Sequence, residues 1–178
     1  GGRGARRLVG VAGRRGDQVV VVGGQGDSRS ISRETTLQTD SLDAAFLESK
    51  LSYLVEKATA QLRESGLYTQ SISLKLRYPD FKTVTRSHTL SQATSEDHVV
   101  FKTVRGLFRK LITRRTRVRL IGVCLTSLTA SPHVQNDLFE GVSREKRDRL
   151  YQGIDRIRNK YGFGSILRAA SVRQEETE

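Results

Sequence analysis

The segment from Thr69 to Leu90 constrains the fold most, because it alternates between apolar and polar residues on both sides of a turn. Pro79 and Asp80 supply the turn residues. A period of two predicts strands whose alternate side chains reach opposite faces of a sheet. The first arm is apolar on one face, and its other face carries Ser71, Ser73, Lys75 and Arg77. The segment therefore predicts a hairpin in a sheet that is covered on one face and open on the other.

Helical patterns stand on either side of this hairpin, and two further strand patterns enclose them. Apolar residues at helical spacing run from Leu47 to Leu62 and again from Val100 to Leu111. The outer strands are "SRSISRETTL" and "TRVRLIGVCLTSL". This order predicts an α+β fold, a split βαβ (βαββαβ) arrangement with a four-stranded, antiparallel-type sheet and both helices on one face.

A third helix is predicted near the C-terminus. Ser143 is its predicted cap, and Gly162 follows its last turn. Both a helix packed on the other two and a helix that swings free fit this pattern. The apolar edge of the helix is predicted to consist of Leu150, Ile154, Ile157 and Tyr161.

The charge of the chain predicts a polyanionic partner. Its 178 residues carry a formal net charge of +12, which suits nucleic acid or an anionic membrane surface. No apolar run has the length of a membrane span, so we favour nucleic acid and expect a cytoplasmic, nucleoid-associated protein. The single Cys124 lies in "LIGVCL" and is predicted to be buried and inert. The chain contains no Met and begins with "GGRG", so we expect a fragment of a longer product.

Catalytic constellations are missing from the sequence. The histidines His88, His98 and His133 fall on separate elements without metal-ligand spacing. Glu96 and Asp97 form the best carboxylate pair, but their place in the first turn of a helix favours a role in complementing the helix dipole. The residues therefore predict a nucleic-acid binding module that performs no catalysis and holds no cofactor.

The open face predicts how nucleic acid is bound. It carries hydroxyls, Lys and Arg rather than charges of both signs, and such groups contact phosphate oxygens without reading bases. Tyr78, Phe81 and Phe101 fall on or near core-facing positions, which disfavours stacking of single-stranded bases. A sequence-tolerant grip on a duplex backbone is the preferred interpretation, and a ferredoxin-like RNA-binding module is the alternative.

Five segments carry a resemblance to a known family. They are "SISRETTL" (Ser30–Leu37), "LKLRYPDFKTVTRSHTL" (Leu74–Leu90), "VRLIGV" (Val118–Val123), "QNDLF" (Gln135–Phe139) and "IDRIRNKYG" (Ile154–Gly162). Together they resemble the C-terminal region of the Y-family DNA polymerases, in their bacterial DNA polymerase IV (DinB-type) branch. The resemblance covers about Ser28 to Val172. It implies a little-finger domain, in which a four-stranded sheet with two helices on one face lies on the primer–template duplex.

The resemblance also implies site residues. Phosphate contacts are expected from "SISRE" and "KTVTRS", at Ser30, Ser32, Arg33, Thr83, Thr85, Arg86 and Ser87. Arg77 and Arg119 are added as candidates from their strand face alone. "QNDLF" resembles the sliding-clamp binding peptide of bacterial polymerases, with Gln135, Asp137, Leu138 and Phe139 as its binding residues. In the alternative interpretation, Leu138 and Phe139 pack under the last helix.

We expect four regions: the end of a thumb domain and linker (1–27), the little finger (28–130), the clamp-binding peptide (131–142), and a C-terminal helix with its tail (143–178). The parent would be a translesion DNA-directed DNA polymerase, a nucleotidyltransferase whose carboxylates and Mg²⁺ belong to a palm domain outside this chain. The chain alone should therefore be inactive. The expected partners are double-stranded primer–template DNA and the bacterial β sliding clamp, with no membrane and a monomeric state. A non-catalytic relative that recruits partners at damaged DNA is the alternative.

Overall fold

A computed structural model gives the architecture of the chain. It describes residues 17–18, 30–112, 116–131 and 138–172, with the backbone alone at 17–18 and 138–144. The strands are β1 (Asp17–Gln18), β2 (Ile31–Ser41), β3 (Tyr68–Arg77), β4 (Thr83–Thr94) and β5 (Val118–Thr129). The helices are α1 (Ala44–Glu64), α2 (Asp97–Leu111) and α3 (Leu138–Tyr161), followed by short 3-10 turns at Phe163–Ser165 and Ala169–Ser171.

The strands form an antiparallel sheet in the order β1-β2-β5-β3-β4. Strands β2 and β3 run parallel with β5 between them, and β4 and β5 run parallel with β3 between them. Two split βαβ units are thus interlocked, and the predicted βαββαβ fold is confirmed. The sheet has one strand more than predicted, because Asp17 and Gln18 pair with Thr35 and Glu34 at the edge formed by β2.

The hydrophobic core lies between the sheet and the pair α1 and α2. Strand alternation sends every second residue of the central strands to this side, including Leu74 of β3 and Val123 of β5, which are 0% and 1% exposed. Burying each such side chain contributes about 1.5–3 kcal/mol. The same cluster contains Leu47 and Leu51 of α1 and Val104 of α2. Both helices therefore cover one face and leave the other open.

Helix α1 has well-defined ends. Asp43 is its N-cap, and its side chain accepts hydrogen bonds from the backbone N–H groups of Ala45 and Phe46. Gly66 follows the helix with a φ of +65°, a left-handed conformation that favours glycine. The backbone N–H of Leu67 then bonds to the carbonyl of Leu62, which closes the last turn.

A second buried stripe on α1 is polar. Its members recur at helical spacing and include Ser52, Glu56 and Thr59, each 0% exposed. Arg63 continues the stripe, donates to both carboxylate oxygens of Asp155 in α3, and bonds to Asp97 of α2 at 2.6 Å. Burial alone would lower the pKa of Arg63, but these two carboxylates outweigh it and hold the pKa above its ordinary value.

Helix α3 packs on α1 and α2 through this polar stripe. Arg158 of α3 is 5% exposed and pairs with the buried Glu56. Glu56 also accepts a hydrogen bond from the hydroxyl of Ser171, so the chain after α3 is held at the same point. The helix begins at Leu138 rather than after the predicted cap at Ser143. One open alternative is thereby resolved, because the helix is packed on the domain. The last two residues of "QNDLF" belong to its first turn.

Candidate nucleic-acid interface

The open face of the sheet consists of side chains that stand in rows across four strands. Residues paired in register on neighbouring strands project from the same face. In each row the residues come from β2, β5, β3 and β4 in turn. The rows are Ser32, Cys124, Ser73 and Ser87; Glu34, Gly122, Lys75 and Thr85; and Thr36, Leu120, Arg77 and Thr83.

Half of the twelve residues in these rows have short side chains that carry hydroxyl groups. The hydroxyls of Ser73 and Ser87 are 2.8 Å apart and share a hydrogen bond. Arg77 donates from Nε to Oγ1 of Thr83 at 3.0 Å, which directs its guanidinium along the row. The result is a shallow surface on which hydroxyl donors and a guanidinium are within reach of an approaching anion.

The middle row contains a salt bridge that crosses β5. Nζ of Lys75 lies 2.8 Å from Oε2 of Glu34, directly over Gly122. A Cβ atom at Gly122 would be 2.8 Å from the Cβ of Glu34, so glycine is required where the two side chains meet. The prediction that this face lacks acidic residues is wrong, because Glu34 is paired across the sheet with Gly122 and shares the face with Lys75.

Cys124 lies in the first row rather than in the core. The prediction of a buried thiol is wrong because the core-facing positions of β5 are Ile121, Val123 and Leu125, which turns Cys124 to the open face. It is half-buried between Ser32 and Ser73. Burial raises the pKa of the thiol, and a hydrogen bond with Ser32 opposes that rise.

Five of the predicted DNA-binding residues come together on the open face: Ser32, Arg77, Thr83, Thr85 and Ser87. Ser30 immediately precedes β2.

Arg33 and Arg86 project from the other side of the sheet, because they pair with the core-facing Val123 and Leu74. Arg33 donates to Oε1 of Gln61 in α1 at 3.0 Å. Arg86 is exposed on the edge strand β4. Arg119, predicted from its strand face, lies two residues before the core-facing Ile121 and therefore also projects to the helical side. The predicted set is divided between the open face and the helical side.

Phe81 is the aromatic residue that sequence reasoning misplaced. It is 69% exposed, in the turn between β3 and β4 with a φ of 61°, whereas Tyr78 beside it is 4% exposed and part of the core. The guanidinium of Arg119 lies 5.0 Å from the centre of the Phe81 ring, a cation–π contact. The turn signal of Pro79 and Asp80 could have indicated that the next side chain stands outside the core.

The groups considered for catalysis serve the packing of the helices instead. Asp97 accepts hydrogen bonds from Arg63 and from Thr59, and Glu96 pairs with Arg147 of α3 at 2.8 Å. Within the described ranges, no group of three His, Cys, Asp or Glu side chains could hold a metal ion. In the same part of the chain, no helix has the length and apolar character of a membrane span.

Half of the clamp-binding prediction lies outside the described residues. Gln135 and Asp137 fall in the undescribed stretch 132–137. Leu138 and Phe139 are the first two residues of α3, for which the backbone alone is described. The described chain reaches Ser131 on one side of this stretch and resumes at the start of a packed helix on the other.

Comparison with known proteins places the chain in a family. It is 38% identical over 151 residues to a DNA polymerase IV of Dehalococcoides mccartyi, covering 84% of this chain and 38% of that protein. It is 30% identical over 148 residues to a DNA polymerase IV of Clostridium acetobutylicum, covering 83% of this chain and 37% of that protein. The chain thus spans well under half of these relatives.

The fold has a counterpart among solved structures. A post-insertion binary complex of Dbh DNA polymerase aligns with a TM-score of 0.51 and 20% identity over 57% of this chain and 29% of that chain. The family model described as the impB/mucB/samB family C-terminal domain matches residues 28–138. Since that match extends over more than half of the sequence, the chain belongs to this family and carries its C-terminal domain, the little finger of the Y-family DNA polymerases.

Proposed function

We propose that this little finger grips primer–template duplex DNA through backbone phosphates and docks to the bacterial β sliding clamp, as part of a translesion DNA-directed DNA polymerase. The observation that carries the DNA-binding part is the set of rows on the open face. Hydroxyls and a guanidinium stand there on a rigid sheet, and the described residues of the three rows include no aromatic side chain. Such groups hold phosphates and tolerate any base sequence.

The dimensions of the open face suit a duplex. Four strands about 4.8 Å apart span about 14 Å from β2 to β4. The major groove of B-form DNA is about 12 Å wide. A face of this width placed over the groove brings its two edges near the phosphates of both strands. Arg86 on the edge strand β4 would then reach phosphates from that edge, Arg33 would do so on leaving its hydrogen bond with Gln61, and Arg77 and the hydroxyls act from the face.

The experiment compares two variants that lose the same charge. Arg77→Ala removes a cation from the open face, and Arg109→Ala removes an exposed cation from α2 on the covered side. We expect Arg77→Ala to weaken duplex binding, and to reduce the slope of log affinity against log salt by about 0.9 if Arg77 neutralises one phosphate. Arg109→Ala should leave both quantities close to the parent values. Fluorescence anisotropy with a labelled primer–template duplex over a salt series measures them.

Equal effects of the two variants would contradict the proposal, because only the net charge would then matter. The loss caused by Arg77→Ala should also be the same on duplexes of unrelated sequence. A preference for single-stranded RNA over the duplex in competition would favour the RNA-binding alternative. Arg33→Ala and Arg86→Ala, measured in the same way, test whether these two arginines also contact phosphates.

The clamp part of the proposal rests on the "QNDLF" resemblance. Two neighbouring apolar side chains can fill a pocket while a glutamine fixes the orientation by hydrogen bonds. Leu138→Ala plus Phe139→Ala should abolish association with the β sliding clamp, measured by biolayer interferometry. The matched control is Gln152→Ala plus Asn159→Ala, at two exposed positions of α3. Loss of the cooperative unfolding transition in the first variant would instead identify these side chains as core residues.

The parent activity follows from the relatives, which are named DNA polymerase IV. We propose that the parent is a nucleotidyltransferase and that its Mg²⁺ is held by a palm domain. The present chain should then bind a primed template without extending it when supplied with Mg²⁺ and deoxynucleotides. Primer extension by the purified chain would contradict the assignment of catalysis to the palm domain. The non-catalytic alternative predicts a parent gene without paired carboxylates in its palm region.

A further inference from the structure

Helix α3 is packed with a polar face inward and an apolar edge outward. The positions turned to α1 and α2 are Tyr151, Asp155 and Arg158, and Tyr151 and Arg158 are 9% and 5% exposed. Leu150 and Ile157 each precede a buried residue and remain 59% and 38% exposed. Of the edge predicted from helical spacing, Ile154 is half-buried, and Leu150, Ile157 and Tyr161 are exposed.

The exposed part of this edge, which we call the α3 stripe, consists of Leu150, Ile157 and Tyr161. Ile157 follows Leu150 by about two helical turns, and Tyr161 follows Ile157 by about one, so all three lie on one side of the helix. Tyr161 is 67% exposed. Exposed cations stand beside them at Arg149, Arg156 and Lys160. An apolar surface flanked by positive charge fits a protein groove that is apolar inside and rimmed by carboxylates.

Stability of the isolated domain does not account for this arrangement. A buried ion pair such as Arg158 with Glu56 is often no better for stability than well-packed apolar residues. Exposed apolar side chains gain nothing from the hydrophobic effect until a partner covers them. Turning α3 so that the stripe is buried would place its apolar residues against the domain. The chain instead uses charged groups to hold α3 with the stripe outward.

The position of α3 identifies the partner. The helix begins at Leu138, the fourth residue of the peptide Gln135–Phe139. With a rise of about 1.5 Å per residue, Leu150 lies about 18 Å and Tyr161 about 35 Å along the helix from that residue. The family match ends at residue 138, so α3 extends the domain from the point where the peptide ends. A protein that holds the peptide therefore lies at the start of α3, and the stripe extends away from that point along the same helix.

We propose that the α3 stripe is a second contact surface for the sliding clamp, which extends the contact made by the Gln135–Phe139 peptide along α3. This inference rests on the proposed clamp docking. The buried pairs Glu56 with Arg158 and Arg63 with Asp155 fix the stripe relative to the domain. A partner that covers it would therefore also fix the orientation of the little finger on the clamp.

The experiment uses the full chain and purified bacterial β sliding clamp. Leu150→Ser plus Ile157→Ser removes the apolar character of the stripe at exposed positions. Gln152→Ser plus Asn159→Ser introduces the same residue type at two exposed polar positions of the same helix. We expect the stripe variant to bind the clamp about tenfold more weakly, and the control variant to bind as the parent chain does. Isothermal titration calorimetry gives the Kd, and circular dichroism confirms that both variants remain helical.

The outcomes separate the two levels of the proposal. If Leu138→Ala plus Phe139→Ala abolishes binding and the stripe variant binds like the parent, the clamp docking stands and the second contact is overturned. If the peptide variant binds like the parent chain, the clamp docking itself fails. Equal weakening by the stripe variant and its serine control would assign the effect to helix propensity and overturn the second contact.

Discussion

The open sheet face and the α3 interface direct their polar side chains in opposite ways, toward solvent in the first and toward the domain in the second. On the open face, polar side chains point to solvent and the apolar residues between them fill the core, as Ser73 and Leu74 do. At the α3 interface, charged side chains such as Arg158 and Glu56 point inward while Leu150 points outward. One region is built for a ligand on its polar side, and the other exposes its apolar side.

The difference separates local from long-range determinants. A strand in a two-faced sheet needs only its own alternation to decide which residues are buried. Which face of α3 is buried depends on partners far away in sequence: Arg158 meets Glu56 across 102 positions, and Arg63 meets Asp155 across 92. Those pairs override the apolar periodicity of α3, so its orientation follows from charge complementarity with α1.

The largest expected effect comes from removing one charge of the buried ion pair between Arg158 and Glu56. Arg158→Met leaves the carboxylate of Glu56, which is 0% exposed, without its cation. The free energy of unfolding should fall by about 3–5 kcal/mol, the usual cost of removing one partner of a buried ion pair. Urea denaturation followed by circular dichroism measures it.

A double variant and an open-face variant serve as controls. Glu56→Met plus Arg158→Met removes both charges and should regain much of the lost stability. Ser73→Ala on the open face should change the free energy of unfolding by about 0.5 kcal/mol or less. A loss below about 1 kcal/mol for Arg158→Met would mean that this ion pair does not hold α3 in place.

The buried face could be predicted from the sequence where the periodicity of a single helix or strand determines it. The period-two pattern of β3 gives both faces of the hairpin, and the helical spacing of Leu47 and Leu51 gives the core side of α1. The prediction failed where burial depends on contacts with another element. The alternation of β2 and β5 already places Glu34 and Cys124 on the open face, but the buried polar stripe of α1 is explained by α2, α3 and Ser171. No single-element periodicity contains that information.

A smaller loss of stability is expected from adding a side chain at Gly122 on the open face. Gly122→Val introduces a residue that normally favours strands, but its Cβ would lie 2.8 Å from the Cβ of Glu34. The strands must shift to relieve this contact, and we expect a loss of about 1–3 kcal/mol in the free energy of unfolding. Gly106→Ala in α2 is the control with opposite sign, because nothing lies within 4 Å of its added Cβ. Thermal unfolding of both variants compares them. An unchanged Tm for Gly122→Val would show that the face does not require glycine there.

A modest gain in duplex affinity is expected from neutralising the carboxylate of the open face. Glu34→Gln removes a negative charge and releases Nζ of Lys75, which lies 2.8 Å from Oε2 of Glu34. If phosphates lie over the rows, the duplex Kd should fall by about threefold, in keeping with the modest energy of a partly exposed ion pair. Glu145→Gln on α3 removes the same charge far from the sheet and should have no effect. Anisotropy titrations at one salt concentration decide the matter, and a weaker or unchanged affinity for Glu34→Gln would argue against phosphates at this row.

The smallest effect concerns the thiol of Cys124, which is the single cysteine of the chain and therefore labels the open face without any mutation. Burial raises its pKa above the ordinary value of about 8.5, so alkylation of the folded chain should require higher pH than alkylation in urea. The neutral thiol is the favoured form in the folded state. Its contribution to stability is therefore fully present below the pKa of the unfolded thiol and is lost as the pH rises through the folded pKa.

Duplex DNA should slow the alkylation of Cys124 further, because the thiol lies between Ser32 and Ser73 in the first row. Mass spectrometry of the alkylated chain at several pH values, with and without duplex, follows the reaction. Raising the salt concentration should restore the rate as the duplex dissociates. The Arg77→Ala variant should need less salt for the same recovery. Unaltered alkylation at a duplex concentration that saturates binding would mean that DNA contacts another surface of the domain, and the assignment of the open face would have to be abandoned.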